Sequence, residues 1–480
     1  NEGDEPAFTQ PVLYKAIRER KSVRDGYLEN LLKIGDVTIE EAGQIEKERQ
    51  ENLETALKEA DGEDCSHLVE NSMTGIWQGY TGGPRNAVPE ADTTIPKETL
   101  TELMDKICTV PDSFTPHPKI VRLLNQRREM GVGKRPIDWG GAEMLAFASL
   151  SADGAPIRLT GQDCERGTFS HRHAVIHDYE NGKKHYPLQF LTPDQARVEI
   201  HNSPLSEAAV LGFEYGYSLD TPDGLVMWEA QFGDFSNVAQ VIVDQFISSA
   251  EDKWRRLSGL VMLLPHAMEG MGPEHSSARL ERFLAMAAED NIQICYPSTP
   301  AQHFHLLRRQ VISPWRKPLI VMTPKSLLRH PRATSTLDEL SKGKFHPILR
   351  DSLASRKTKV DRVLWCSGKI YFELEALREE HKKENVAILR IEQLYPLSDA
   401  QIEEAMAPYD NECEVIWVQD EPENMGAWRH LRSRFGHRVF NRFPFSGVYR
   451  PESASPATGS KSSHKLEQQI LNTTALGIKN

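Results

Sequence analysis

RVEIHNSPLSEAAVLGFEYGYSLDTPDGLVMWEAQFGDFSNVAQ, residues 197–240, is the stretch that decides the fold. It reads as a strand over 197–201, a helix over 204–218, a strand over 225–229 and a second helix over 237–250, with short apolar runs alternating with amphipathic ones. That alternation is the signature of a parallel sheet covered by helices on both faces. Outward from it, the same texture predicts strands at 156–160, 259–264, 292–296 and 318–322, with helices at 141–150, 276–289 and 300–310. These elements make one α/β domain that begins near residue 131 and ends near residue 330.

A stretch rich in Ser, Thr, Lys and Pro follows and reads as an interdomain linker, set at 331–354. A second, smaller α/β domain is predicted over 355–480, with strands at 361–366, 386–391 and 414–418, helices at 370–382, 398–406 and 426–435, and a final helix at 466–476. Before residue 131 the pattern is different. Helices are predicted at 12–33 and 37–60, the second densely charged, and the Gly- and Pro-rich stretch that runs on to Pro118 reads as an extended, turn-rich link.

The length of 480 residues favours two or three domains. Lys and Arg number 57 against 69 Asp and Glu, a net charge of −12, which argues against a protein that binds nucleic acid by neutralising phosphates. No run of about 18 uncharged apolar residues is present, so no membrane span is expected. The six cysteines are scattered without a C-x-x-C pair, which suits a reducing compartment better than a disulfide framework. The chain begins at Asn1 with neither an initiator Met nor a targeting sequence, as a processed or partial product does.

In open α/β sheets the ligand crevice lies beyond the carboxyl ends of the strands, so polar residues in those loops are the first candidates. In Asn202–Ala209, Ser203 is the expected N-cap and Pro204 the first helical residue, which places Glu207 in the opening turn among small apolar neighbours. A glutamate there is favoured by the helix dipole alone; a desolvated one also has a raised pKa and exchanges a proton with a ligand. In Glu229–Phe235, Phe232 and Phe235 flank a glycine and either line a flat heterocycle or belong to the core. In Pro265–Ser277, His275 precedes a helix, as a proton donor or a plain cap. His171 and His173, two apart, would share a face on a strand, yet no carboxylate or cysteine completes a zinc site, and no metal is expected there. Neither a G-x-S-x-G elbow nor a P-loop occurs.

The motifs NEGDEPAFTQP at the start, RLTGQDCERGTFSHRHAV, NSPLSEAAVLGFEYGYS, WEAQFGDF, VDQFISSAEDKW, GPEHSSARLERFL, STPAQHFHLLRRQ, MTPKSLLRHP and SASPATG together cover nearly the whole chain. On them the chain resembles the carboxyl-terminal half of the thiamine-diphosphate-dependent first component of 2-oxoglutarate dehydrogenase. The resemblance implies two doubly wound α/β domains of the transketolase-like, thiamine-diphosphate-binding type behind an amino-terminal helical connecting region. Residues 1–130 then correspond to the tail of the diphosphate-binding domain, 131–330 to the pyrimidine-binding domain and 355–480 to the carboxyl-terminal domain.

The same resemblance implies roles. Glu207 matches the glutamate that hydrogen-bonds the aminopyrimidine, Phe232 and Phe235 the aromatic pocket around that ring, with Gln231 beside them. His275 matches an active-site histidine near the thiazolium, and His173 is a further candidate for the same cavity. The implied reaction is decarboxylation of 2-oxoglutarate with succinyl transfer to the lipoyl group of the dihydrolipoyl succinyltransferase component. A homodimer in the bacterial cytoplasm or mitochondrial matrix is implied, with magnesium ligands and the G-D-G motif expected outside this chain. The isolated chain is expected to be inactive, a structural half, and a 2-oxoadipate-preferring relative is the nearest alternative.

Overall fold

A computed structural model describes residue 3 and residues 5–60, 73–85, 88–351 and 359–478. Cys65 and the end of the expected linker lie outside the described residues. The chain forms two compact units, residues 1–74 and 75–480.

In the first unit the predicted helix at 12–33 is two, Pro11–Glu19 and Val23–Ile34. Ser22 interrupts the run and caps the second by accepting from Asp25 N–H at 3.1 Å. The helix Ile39–Ala60 buries none of its residues, as its charged sequence requires.

The second unit holds two sheets. In chain order its strands are β1 (Ile157–Gly161), β2 (Ile176–His177), β3 (Lys184–His185), β4 (Val198–Asn202), β5 (Leu225–Glu229), β6 (Val261–Pro265), β7 (Gln293–Cys295), β8 (Leu319–Thr323), β9 (Ile348–Leu349), β10 (Arg362–Cys366), β11 (Val386–Ile391), β12 (Gln393–Tyr395), β13 (Glu414–Pro422), β14 (Arg438–Val439) and β15 (Phe443–Arg450). The first sheet runs β12-β7-β8-β6-β5-β1-β4. All its neighbours are parallel except β12, which comes from the far side of the linker and pairs antiparallel with β7. The second runs β14-β15-β13-β10-β11-β9, with antiparallel pairs only at its edges.

Both faces of the first sheet are buried, which explains why its strands lack polar alternation. Leu225, Met227, Val261 and Leu263 pack with the helices Trp139–Ala152 and Pro300–Ile312. Their neighbours Val226, Trp228, Met262 and Leu264 join a core that continues through Val363, Trp365, Leu389 and Trp417 of the second sheet. One apolar layer thus lies between the sheets.

Three readings need correction. The segment expected as an extended link up to Pro118 holds the helix Lys97–Ile107, whose Leu100, Leu103, Met104 and Ile107 recur at helical spacing and are buried, and it leads into the helix Pro118–Gly131, which buries Leu124. The linker region folds a capped helix, Leu337–Lys342, and seats Ala333, Leu337, Leu340 and Phe345 in the core, because those apolar residues outweigh its polar composition. The helix expected at 237–250 is a succession of short turns, Gly233–Ala239, Gln240–Ile242 and the wide turn Val243–Ile247, before Ala250–Trp254.

Candidate active site

In the first sheet β1 lies between β4 and β5, the point at which the strand order reverses and an α/β crevice opens. Asn202, Gly161 and Glu229, the last residues of β4, β1 and β5, are in register there. A Cβ on Gly161 would stand 2.2 Å from Glu229 O. Only a glycine lets the two strand ends close up this far.

On the β4 side, Ser203 N–H continues the ladder to Gly161 O at 2.9 Å. The backbone therefore stays extended past Pro204, and the helix starts three residues later than the sequence suggests. Ser206 is the N-cap, accepting from Ala209 N–H at 3.4 Å, and Glu207 opens the helix Glu207–Leu219. Glu207 is half-buried, and among the described residues its carboxylate has no hydrogen-bond or ion-pair partner.

On the β5 side the structure gathers rings. Phe232 meets Phe235 at 5.8 Å, His275 at 4.4 Å and Phe169 at 5.9 Å between centroids, each edge to face. Lys325 Nζ donates to His275 O. Gln231 Nε2 donates to Asp163 Oδ2 at 3.0 Å, so it stiffens the loop after β1. Thus Phe232, Phe235 and His275 come together, Gln231 supports the loop beside them, and the helix that Glu207 opens packs against Gly233–Ala239, the segment that carries Phe235.

His173 bonds within its own loop. Residues 170 and 173 have left-handed backbone, φ 55° and 49°, so the segment is no strand and the two histidines do not share a face. The His173 ring nitrogen lies 3.1 Å from Ser170 O. His171 instead approaches Glu143 at 3.8 Å.

Between them Arg172 is fully buried and uses all five of its N–H groups. Nε and Nη2 donate to Glu143 at 2.7 and 3.2 Å, Nη1 and Nη2 to Glu229 at 2.7 Å each, and Nη1 also to Cys164 O at 2.9 Å. His303 adds a bond to Glu143 at 3.1 Å. Burial pushes both carboxyls up and Arg172 pulls both down; Glu143, which also has the His303 bond, ends below the usual carboxylate range and Glu229 above it. This ionic floor under the rings was missed in the sequence, as was Phe169.

Burial and the charge of Arg172 hold His171 down at about 3, and burial and Arg127 hold His173 at about 4. Both folded values lie below the ordinary 6.5, so the stability that comes from their neutral rings is complete above pH 6.5 and is lost as pH falls toward 4 and 3. The urea midpoint of the chain is therefore expected to be lower at about pH 5 than at about pH 7. An unchanged midpoint over that interval contradicts the assignment.

Among the described residues no cluster of three or more His, Cys, Asp or Glu is arranged to hold a metal ion. No helix of the described residues is long and apolar enough to cross a membrane.

Two family models match the chain: the transketolase pyrimidine-binding domain over residues 135–331 and the 2-oxoglutarate dehydrogenase C-terminal domain over 334–476. The chain is 47% identical to the 2-oxoglutarate dehydrogenase E1 component of Rickettsia felis over 485 residues, which takes in 100% of the chain and 48% of that relative. The proteins of the same description from Azotobacter vinelandii and Coxiella burnetii are each 46% identical over 98% of the chain and 50% of their own length. The chain spans about half the length of the curated relatives it matches.

Proposed function

We propose, from the premise that this chain belongs to the 2-oxoglutarate dehydrogenase E1 family and matches its carboxyl-terminal half, that it supplies the pyrimidine-binding side of an enzyme that decarboxylates 2-oxoglutarate. What supports the reading is that the strand ends Asn202, Gly161 and Glu229 are in register, that the helix opened by the half-buried Glu207 packs against Gly233–Ala239, and that Phe232, Phe235 and His275 cluster beside that segment. A flat heterocycle with a polar edge fits that donor set: aromatic edges for its faces and a carboxyl for a ring nitrogen.

Thiamine diphosphate, when bound, supplies the nucleophilic carbon and the electron sink for loss of carbon dioxide. Within this chain Glu207 holds and returns a proton at the pyrimidine ring nitrogen. Phe232 and Phe235 exclude water and orient the ring. His275 orients the 2-oxo acid and handles its protons. His173, half-buried and bonded to Ser170, is left the lesser candidate in the same cavity. Gln231 takes the role of a support through Asp163. Magnesium and the diphosphate are assigned outside these residues.

The proposed division of the chain is 131–330 for pyrimidine binding and 355–480 for the carboxyl-terminal domain, with 331–354 between them as a connection whose helix Leu337–Lys342 packs in the core and 1–130 as the tail of the diphosphate-binding domain. The lipoyl group of a dihydrolipoyl succinyltransferase component is the proposed acceptor. A homodimer is supported by an exposed apolar patch: Phe213, Val238, Val241 and Trp254 are 56, 53, 58 and 49% exposed and lie on packed neighbouring segments. The five described cysteines are buried and unpaired, in keeping with a bacterial cytoplasm or mitochondrial matrix.

The test uses the complete polypeptide that carries this chain, with thiamine diphosphate, magnesium and an artificial electron acceptor. Carbon dioxide release with kcat/KM at least about tenfold higher for 2-oxoglutarate than for 2-oxoadipate is expected, from a species of dimer mass in sedimentation. The reverse preference moves the assignment to the 2-oxoadipate relative, and no release from either acid sinks it.

A further inference from the structure

The loop from His266 to Arg279 carries His275, yet it is held from the second sheet. His266 is 1% exposed, and its Nε2 lies 2.6 Å from Oε1 of Glu421, near the end of β13. Its Nδ1 accepts from Ala278 N–H at 2.9 Å. A ring nitrogen that accepts carries no proton, so the proton is on Nε2 and is donated to Glu421. The tautomer is thereby fixed at both ends of the ring.

What the ring holds touches the site. A Cβ on Gly233 would stand 2.4 Å from Ala278 Cβ, so the residue that follows Phe232 rests directly on Ala278. Ala267 N–H donates to Ser276 O at 3.0 Å, which closes the loop around His275, and Arg279 Nε meets Asp234 at 3.0 Å. Two further ties come from the same half of the chain. Gly426 N–H donates to Glu281 at 3.0 Å, and Gly270 backs onto Lys461, whose Cα a Cβ there would meet at 3.2 Å.

We propose that Glu421 and His266 form a positioning pair, through which the second sheet sets the place of His275 against Phe232. The inference rests on the reading of His275 and Phe232 as site residues. Neither member of the pair is itself a catalytic residue. The ring of His266 is spent on Glu421 and Ala278, and it acts only through the loop.

The experiment pairs hydrogen exchange, read by mass spectrometry on peptides spanning 266–280, with steady-state turnover in the complete polypeptide. Glu421→Ala removes the acceptor and frees the ring; exchange at Ala278 is expected to rise about tenfold, the equivalent of one hydrogen bond. Turnover is expected to fall about tenfold in kcat with KM for the 2-oxo acid little changed, as misplacement of a catalytic group gives. Glu421→Gln keeps an oxygen for Nε2–H and is expected to restore both. His266→Phe keeps the ring's bulk but offers Glu421 no donor and Ala278 no acceptor, and is expected to raise exchange as Glu421→Ala does; it decides the matter if Glu421→Ala does not fold.

Unchanged exchange in the two disruptive variants overturns the pair. So does Glu421→Gln behaving like Glu421→Ala, or raised exchange with unaltered kcat. A wild-type polypeptide that turns over no 2-oxo acid defeats the functional reading instead, and the exchange arms then judge the pair by themselves.

Discussion

Arg172→Met is expected to lower the unfolding free energy by about 3–5 kcal/mol. The guanidinium holds two buried carboxylates and a carbonyl oxygen with every N–H it has, and Glu143 and Glu229 are 1% and 4% exposed. Without Arg172 they face each other with no cation between them, and water cannot reach them to compensate. The triple variant with Glu143→Leu and Glu229→Leu removes the stranded charges and is expected to regain most of the loss. Denaturant titration of the single and triple variants checks both values. A single-variant loss below about 1 kcal/mol, the scale of a surface ion pair, contradicts the account.

Glu207→Gln in the complete polypeptide is expected to cost about 10²- to 10⁴-fold in turnover, the range for removal of a general acid–base group. Glutamine preserves the size and the first-turn position in the helix Glu207–Leu219 but neither gives nor takes the proton. Exchange of the thiazolium C–H of bound thiamine diphosphate should fall in step. The carboxylate has no partner among the described residues, so stability should change by less than about 1 kcal/mol. Normal thiazolium exchange in the variant removes Glu207 from its role.

Much of the fold was legible because the strands of a doubly covered sheet have no polar face to confuse the pattern. Leu225–Glu229 falls on the residues its apolar run predicts, and Val386–Ile391 does likewise. What escaped was set by contacts at long range. Nothing local in Gln393–Tyr395 distinguishes a strand that belongs to the other sheet. Pro204 reads as a helix start, yet Ser203 N–H pairs with Gly161 O across the sheet and the helix begins only at Glu207.

The ring cluster was legible as residue types in loops that follow strands, Phe232 and Phe235 after β5 and His275 in the loop after β6, while its role toward a bound ring rests on the proposal. The ionic floor was not, although a signal existed. Glu143 interrupts the apolar run WGGAEMLAFASL, and Glu229 ends the apolar run LVMWE. A carboxylate inside an apolar run must find a buried cation, and Arg172, between two histidines, is the one that meets both. Reading that motif for metal ligands alone drew attention to His171 and His173 and away from the arginine.

The antiparallel strand Gln393–Tyr395 carries a lesson for anyone who would recombine this chain with a relative. A gene cut in the linker at 331–354 looks clean by composition, but it strips the first sheet of its last strand and bares the edge of Gln293–Cys295. An unprotected edge of that kind invites pairing with another molecule. Chimaeras built at that seam inherit a sticky module, whereas a graft that keeps 393–395 with the sheet it completes leaves the rim closed.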